Sequence, residues 1–319
     1  MAKLGLAVMG SLAMAVLAAS CDKGRKELLV TQNPAAPTTE AVEDTGYADV
    51  NGLHMYYEVH GSGEPVILLH GAYMSATAMR PVWDVLDRSR KVIVPEAQGH
   101  AHTADIDRAF SYQAMADDVA KLMEAMNVPR ADVMGYSMGA GTALQLAIRH
   151  PEKVKRLVVV SGSFKTSGMY PEVVRMLPTI TPEAFKGSPM EAEYKKISPT
   201  PDHFPQFVEK LTRLDTAPQD WPASDIAGIK SPTLVMVGDQ DVVKPEHAVE
   251  MLRLLGGGVP GDMGQPAPED QLAILPGTTH VGMIEQRGEM VARLARDFID
   301  PPPPPPPQAK VSAQEAAAP

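Results

Sequence analysis

Short apolar runs alternate with longer stretches of helical spacing through the middle of the chain. Val66 to Leu69, Val92 to Val94, Ala131 to Met134, Leu157 to Val160, Thr233 to Val237 and Leu272 to Leu275 are apolar at successive positions. Strands covered on both faces of a parallel sheet need that pattern. Tyr112, Met115, Ala116, Val119, Leu122, Met123 and Met126 fall on one face at helical spacing, so Ser111 to Asn127 reads as an amphipathic helix whose methionines and tyrosine belong to a core. Tyr47 to Val50, the Asn51-Gly52 turn and Leu53 to Val59 make an antiparallel hairpin that leads into the sheet. The predicted architecture is α/β: eight strands, the first pair antiparallel and the rest parallel, with helices on both faces. Right-handed crossovers in such a sheet put loops and ligands at the carboxyl ends of the strands.

One segment breaks the alternation. Ser163 to Ile229 has no convincing buried strand, is interrupted by seven prolines from Pro171 to Pro205, and scatters large apolar residues through helical patches. A structureless loop of that length is rare in a compact domain, so the segment is expected to be a small helical cap over a site. Its aromatic residues, among them Phe164, Tyr170, Phe185, Tyr194, Phe204, Phe207 and Trp221, are expected mostly to pack cap against core, with only a few reaching a pocket.

The two ends differ from this body. Lys3 precedes an apolar stretch from Leu4 to Ala19 that is too short to span a bilayer as a helix and has the layout of an export signal. Cys21, the single cysteine, follows directly and cannot form an internal disulfide. Leu17-Ala18-Ala19-Ser20-Cys21 resembles the bacterial lipoprotein lipobox, which implies acylation of Cys21, membrane attachment through it and an extracytoplasmic location, on the periplasmic side in a Gram-negative host. Residues 22–45, rich in Pro, Thr, Ala and charge, read as a flexible tether with a span of roughly 25 to 30 Å. Pro301 to Pro307 are seven consecutive prolines, which only an extended polyproline helix accommodates, so residues 46–300 form the folded domain and 301–319 a tail. A net charge of −10 without a Lys/Arg run argues against a nucleic-acid partner.

Candidate chemistry sits at the predicted strand ends. Gly135-Tyr136-Ser137-Met138-Gly139 joins an apolar strand to a helix of small residues, and a serine on such a turn is held in a strained conformation with its hydroxyl exposed. A serine hydroxyl needs a base, and the base needs a third group to fix its tautomer. Gly238-Asp239-Gln240-Asp241 and Gly277-Thr278-Thr279-His280 each follow an apolar run.

The order Ser137, Asp241, His280, with His70-Gly71 after a further strand, resembles the α/β-hydrolase superfamily from Tyr47 to Phe298. The resemblance implies Ser137 as nucleophile, His280 as general base and then acid, and Asp241 as the orienting carboxylate, with Asp239 the competing acid. It implies an oxyanion hole from the backbone N–H groups of Ala72 and Met138, with Tyr73 and Met74 beside the substrate. His70 is expected to brace the oxyanion loop. Where many members have Asp-x-x-Gly-x-Gly after the fourth strand, this chain reads Glu96-Ala97-Gln98-Gly99-His100-Ala101, a change expected to be structural. The pair His100 and His102 has no obvious further ligand, and neither a metal nor a cofactor is expected. His54, His60, His150, His203 and His247 read as surface or capping residues.

The expected activity is hydrolysis of a small or medium, largely apolar carboxylic ester through an acyl-enzyme. A second reading resembles the proline iminopeptidases, which need acidic cap residues for a free amine, here Glu183, Glu191 or Glu193. A third is a lipoprotein that binds a ligand without turning it over.

Overall fold

The computed structural model describes residues 44–261 and 268–301. Cys21, the signal and almost all of the tether lie outside the described residues, as do 302–319 of the tail and 262–267, within a Gly/Pro-rich stretch from Gly256 to Asp270 that is longer than a usual connection.

The hairpin pairs β1 (Asp44–Val50) with β2 (Leu53–His60) around the Asn51-Gly52 turn, where both residues have positive φ, as a tight two-residue hairpin requires. The sheet continues through β3 (Pro65–Leu69), β4 (Lys91–Pro95), β5 (Ala131–Tyr136), β6 (Val154–Val160), β7 (Thr233–Gln240) and β8 (Gln271–Thr279). The spatial order is β1-β2-β4-β3-β5-β6-β7-β8. Every pairing from β4 onward is parallel, while β2 meets both β1 and β4 antiparallel.

Successive residues of the central strands feed opposite faces, which is why these runs carry no polar alternation. Ile67 and Leu69, with Val133 and Val159, pack under the helices Tyr112–Ala125, Met138–Arg149 and Pro245–Leu255. Val66 and Leu68, with Met134 and Val158, pack under Arg80–Leu86 and Gly288–Ile299. The helix expected from Ser111 runs from Tyr112, and Ser111 caps it by accepting a hydrogen bond from the Ala114 amide at 3.1 Å.

β8 departs from the expectation of a strand covered on both faces. It is the sheet edge, with Ile274 exposed and Leu275 buried, and Pro276 sits in it where an edge strand tolerates a missing donor.

Between β6 and β7 the chain forms the helices Pro171–Met176, Pro182–Phe185, Pro189–Ile197, Phe204–Thr216 and Ala223–Ala227. Four of the five begin at or one residue before a proline in the first turn, where the missing N–H costs nothing. Phe185, Tyr194, Phe204, Phe207, Val208 and Leu211 of this insertion bury one another against Phe110, Met115 and Met138. The insertion thereby covers the carboxyl edge of β5.

Candidate active site

Ser137 stands between β5 and the helix Met138–Arg149 with φ 55° and ψ −117°, a conformation few side chains adopt. Its neighbours permit the turn. A Cβ on Gly135 would lie 2.1 Å from the Gly139 carbonyl oxygen, and one on Gly139 would lie 2.3 Å from that of Leu69. The Ser137 amide donates to the Val160 carbonyl at 2.9 Å, which anchors the turn to β6.

The three side chains taken from separate strand ends meet. The Ser137 hydroxyl lies 2.9 Å from His280 Nε2, and His280 Nδ1 lies 2.7 Å from Asp241 Oδ1. With Nδ1–H donating to the carboxylate, Nε2 is left as an acceptor for the serine proton. Burial opposes the charge on Asp241, but the charge and hydrogen bond of His280 and the bonds from Ser161 and the Val243 amide outweigh it, holding the carboxyl below its ordinary value. The Tyr136 hydroxyl donates to the His280 carbonyl at 2.9 Å and fixes the loop that carries the imidazole.

Asp239 is not part of this constellation. It is exposed at the end of β7 and accepts from the Thr278 amide at 3.1 Å, bracing β7 against β8. Ser161, which the sequence did not single out, has φ 54° and donates to Asp241 Oδ2 at 2.5 Å. Its signal was faint: a serine just past an apolar strand, like many loop serines.

The Met138 amide opens a helix, so it has no intrahelical acceptor and sits at the positive end of the helix dipole, beside Ser137. Ala72 lies across the same cavity, in a loop held from behind. His70 Nδ1–H donates to the Gly71 carbonyl at 2.8 Å, and Nε2 accepts from the Ala97 amide at 3.1 Å. That pairing needs neutral imidazole, and burial holds the His70 pKa below its usual value. Glu96, fully buried, accepts from the amides of Ala76 at 3.0 Å and His102 at 2.7 Å, tying the loop after β4 to the loop after β3.

The histidines divide by surroundings. Glu96 also reaches His102 Nδ1 at 3.1 Å, so this imidazole does have a carboxylate beside it, contrary to the sequence expectation. His100 instead donates from Nδ1 to the Gln98 carbonyl, and its ring stands against Phe207. Among the described residues no cluster of three His, Cys, Asp or Glu side chains is arranged to hold a metal ion. His60 and His247, expected at the surface, are buried. His60 stacks on Trp83 and bonds Glu58; His247 contacts Ser163 at 3.1 Å and Glu250 at 3.2 Å.

A cavity of about 410 Å³ opens over Ser137 and His280. Tyr73 and Met74 line it, as do Met176, Tyr194, Phe204 and Phe207 of the insertion. Phe164, Phe185 and Trp221 pack elsewhere, and Tyr170 is exposed. Among the described residues no Lys or Arg lines the cavity, whereas Glu193, Asp215 and Glu285 do. Glu183 is exposed, and Glu191 is engaged with Lys195 Nζ at 2.8 Å and the Gly187 amide at 2.6 Å. Asp215, missed in the sequence, follows the apolar series of the helix Phe204–Thr216 and reads there as a solvated helix end. Burial raises its pKa to about 7, against the opposing pull of His280.

An eight-stranded sheet with a strained serine at the end of β5, a histidine after β8 and an acid after β7 defines a hydrolase of the α/β type. The chain belongs to the alpha/beta hydrolase fold family, whose pattern matches residues 64–225. It is 30% identical over 215 residues to a 2-hydroxymuconate semialdehyde hydrolase of Pseudomonas sp. strain CF600, covering 61% of this chain and 76% of the relative. It is 28% identical to a 2-hydroxy-6-oxo-2,4-heptadienoate hydrolase of Pseudomonas putida, covering 75% and 90%. Among solved structures, a meta-cleavage product hydrolase from Pseudomonas fluorescens IP01 superposes with a TM-score of 0.60 at 21% identity, covering 81% of this chain and 97% of the other.

Proposed function

We propose that the protein is a serine esterase that forms an acyl-enzyme on Ser137. His280 Nε2 takes the Ser137 proton as the oxygen attacks the ester carbonyl. The resulting oxyanion is held by the amides of Met138 and Ala72, and Asp241 steadies the imidazolium. His280 then gives its proton to the departing alcohol. It next removes one from a water that attacks the acyl carbon, and returns that proton to Ser137 as the acid leaves. One ester and one water become one acid and one alcohol, with the enzyme restored and no cofactor consumed.

The observation that carries this reading is the continuous hydrogen-bonded line Ser137–His280–Asp241, at 2.9 and 2.7 Å. The cavity supports an ester over the substrates for which the relatives are named. A muconate and a heptadienoate are carboxylates, and among the described residues no Lys or Arg lines the cavity to hold one. The test is turnover of esters of graded acyl length beside aminoacyl-proline amides. Esters are preferred and Ser137→Ala abolishes their hydrolysis; preference for the amides overturns the assignment in favour of an aminopeptidase.

We further propose that Cys21 carries a lipid that attaches the enzyme to a membrane. The lipobox-like sequence before it supports this. Metabolic labelling with palmitate, lost in Cys21→Ser, is the expected result; unlabelled wild type removes the anchor.

A further inference from the structure

Asp215 is a carboxylate on which only the charge of His280 bears favourably, with no partner bonded to it. It lies one residue before the end of the helix Phe204–Thr216 and lines the cavity that opens onto Ser137 and His280. Among the described residues no hydrogen bond or ion pair engages it. Other acids of the molecule are answered: Asp105 by Lys210 at 2.7 Å, Asp118 by Arg108 at 2.5 Å, Asp132 by Arg90 at 3.0 Å. Asp215 is half-buried, and a carboxylate partly withdrawn from water without a partner costs stability. Asparagine would fill the same space without the charge.

The surroundings say what would complete it. Among the described residues no Lys or Arg lines the cavity, so His280 is the favourable charge on Asp215, and Glu193, also in the lining, adds to the negative potential. Tyr73 and Tyr112 line the cavity within reach of its charge, and Phe204 and Phe207 extend the aromatic wall. Aromatic faces beside one carboxylate attract organic cations, because the ring faces carry negative potential and an alkylated ammonium is cheaply desolvated. An anionic group would be repelled by Asp215. A small inorganic cation needs several oxygen ligands gathered around it, and among the described residues no three His, Cys, Asp or Glu side chains are so gathered.

We propose that Asp215 and the aromatic walls beside it form a recognition site for an organic cation, so that the preferred substrate is an ester bearing an ammonium group. Asp215 acts here as a specificity residue and takes no part in proton transfer. The inference rests on the esterase reading for its substrate but not for its cation site.

The test uses butyrylcholine, its uncharged carbon isostere and a carboxylate-bearing butyryl ester, compared as ratios of kcat/KM so that a general change in activity cancels. The wild type is expected to favour the cation over the isostere by about tenfold, a value in the range of a desolvated cation–aromatic contact, with the anion poorest. Asp215→Asn brings the first ratio to about one, and Asp215→Glu restores part of it. Equal use of cation and isostere by the wild type, or a preference that survives Asp215→Asn, overturns the proposal. If no ester is hydrolysed, the esterase reading falls. The cation site is then judged by calorimetry of tetraethylammonium on Ser137→Ala: binding abolished by adding Asp215→Asn sustains it, and no binding ends it.

Discussion

Asp239 and Asp241 stand two positions apart and have separate tasks. The first reaches across to the Thr278 amide of β8; the second is buried against His280. Asp241→Asn removes the charge that steadies the imidazolium and permits the wrong tautomer, so kcat on a neutral ester falls by about a thousandfold or more, while Asp239→Asn changes it by no more than about threefold. Steady-state kinetics of the two variants checks the assignment, and equal losses would contradict it. Ser137 was legible from the glycines two positions either side of it, and Asp241 and His280 from their order in the chain and their place in glycine-containing turns a few residues past apolar runs. Asp215 and Ser161 were not. Their roles depend on which loop or helix folds over them, and neither residue type carries that information at its own position.

The strand–turn–helix unit around Ser137 is the element on which the geometry depends. Gly139 lets the helix Met138–Arg149 pass within contact of the Leu69 and His70 carbonyls. Adding one methyl there forces helix and sheet apart, and Gly139→Ala should cost at least about 3 kcal/mol of stability, as strain in a packed core does. Urea denaturation measures it; an unchanged midpoint would show that the turn has slack. Both glycines were visible in the sequence, as were the central strands. Their spatial order was not, because β4 lies between β2 and β3 although it follows both in the chain. β8 read as a covered strand since its apolar run is as long as the others, yet only its place in the sheet determines that one side faces solvent. The proline-rich segment announced an interruption of the βα pattern. Which of its aromatic residues reach the cavity follows from the packing around Phe204 and Phe207, which no spacing rule gives.

At the scale of the whole molecule, long-range contacts close the structure around the cavity. Arg90, between the helix Arg80–Leu86 and β4, is buried and holds Asp132 at the start of β5, the Ile299 carbonyl and Asp300, so the last described helix is fastened to the sheet. Lys210 of the insertion bonds Asp105 and the carbonyls of Ile106 and Arg108, joining the helix above the cavity to the loop after β4. No helix among the described residues is long and apolar enough to cross a membrane. The catalytic line crosses this body between residues 143 positions apart in sequence, and the esterase account requires that it carry an acyl group. The most direct measurement is mass spectrometry of enzyme quenched during turnover of a short acyl ester. The account predicts one acyl group on the peptide containing Ser137 and none in Ser137→Ala. Ester turnover with that peptide unmodified at every time of quenching, or with the acyl group on another residue, would contradict it.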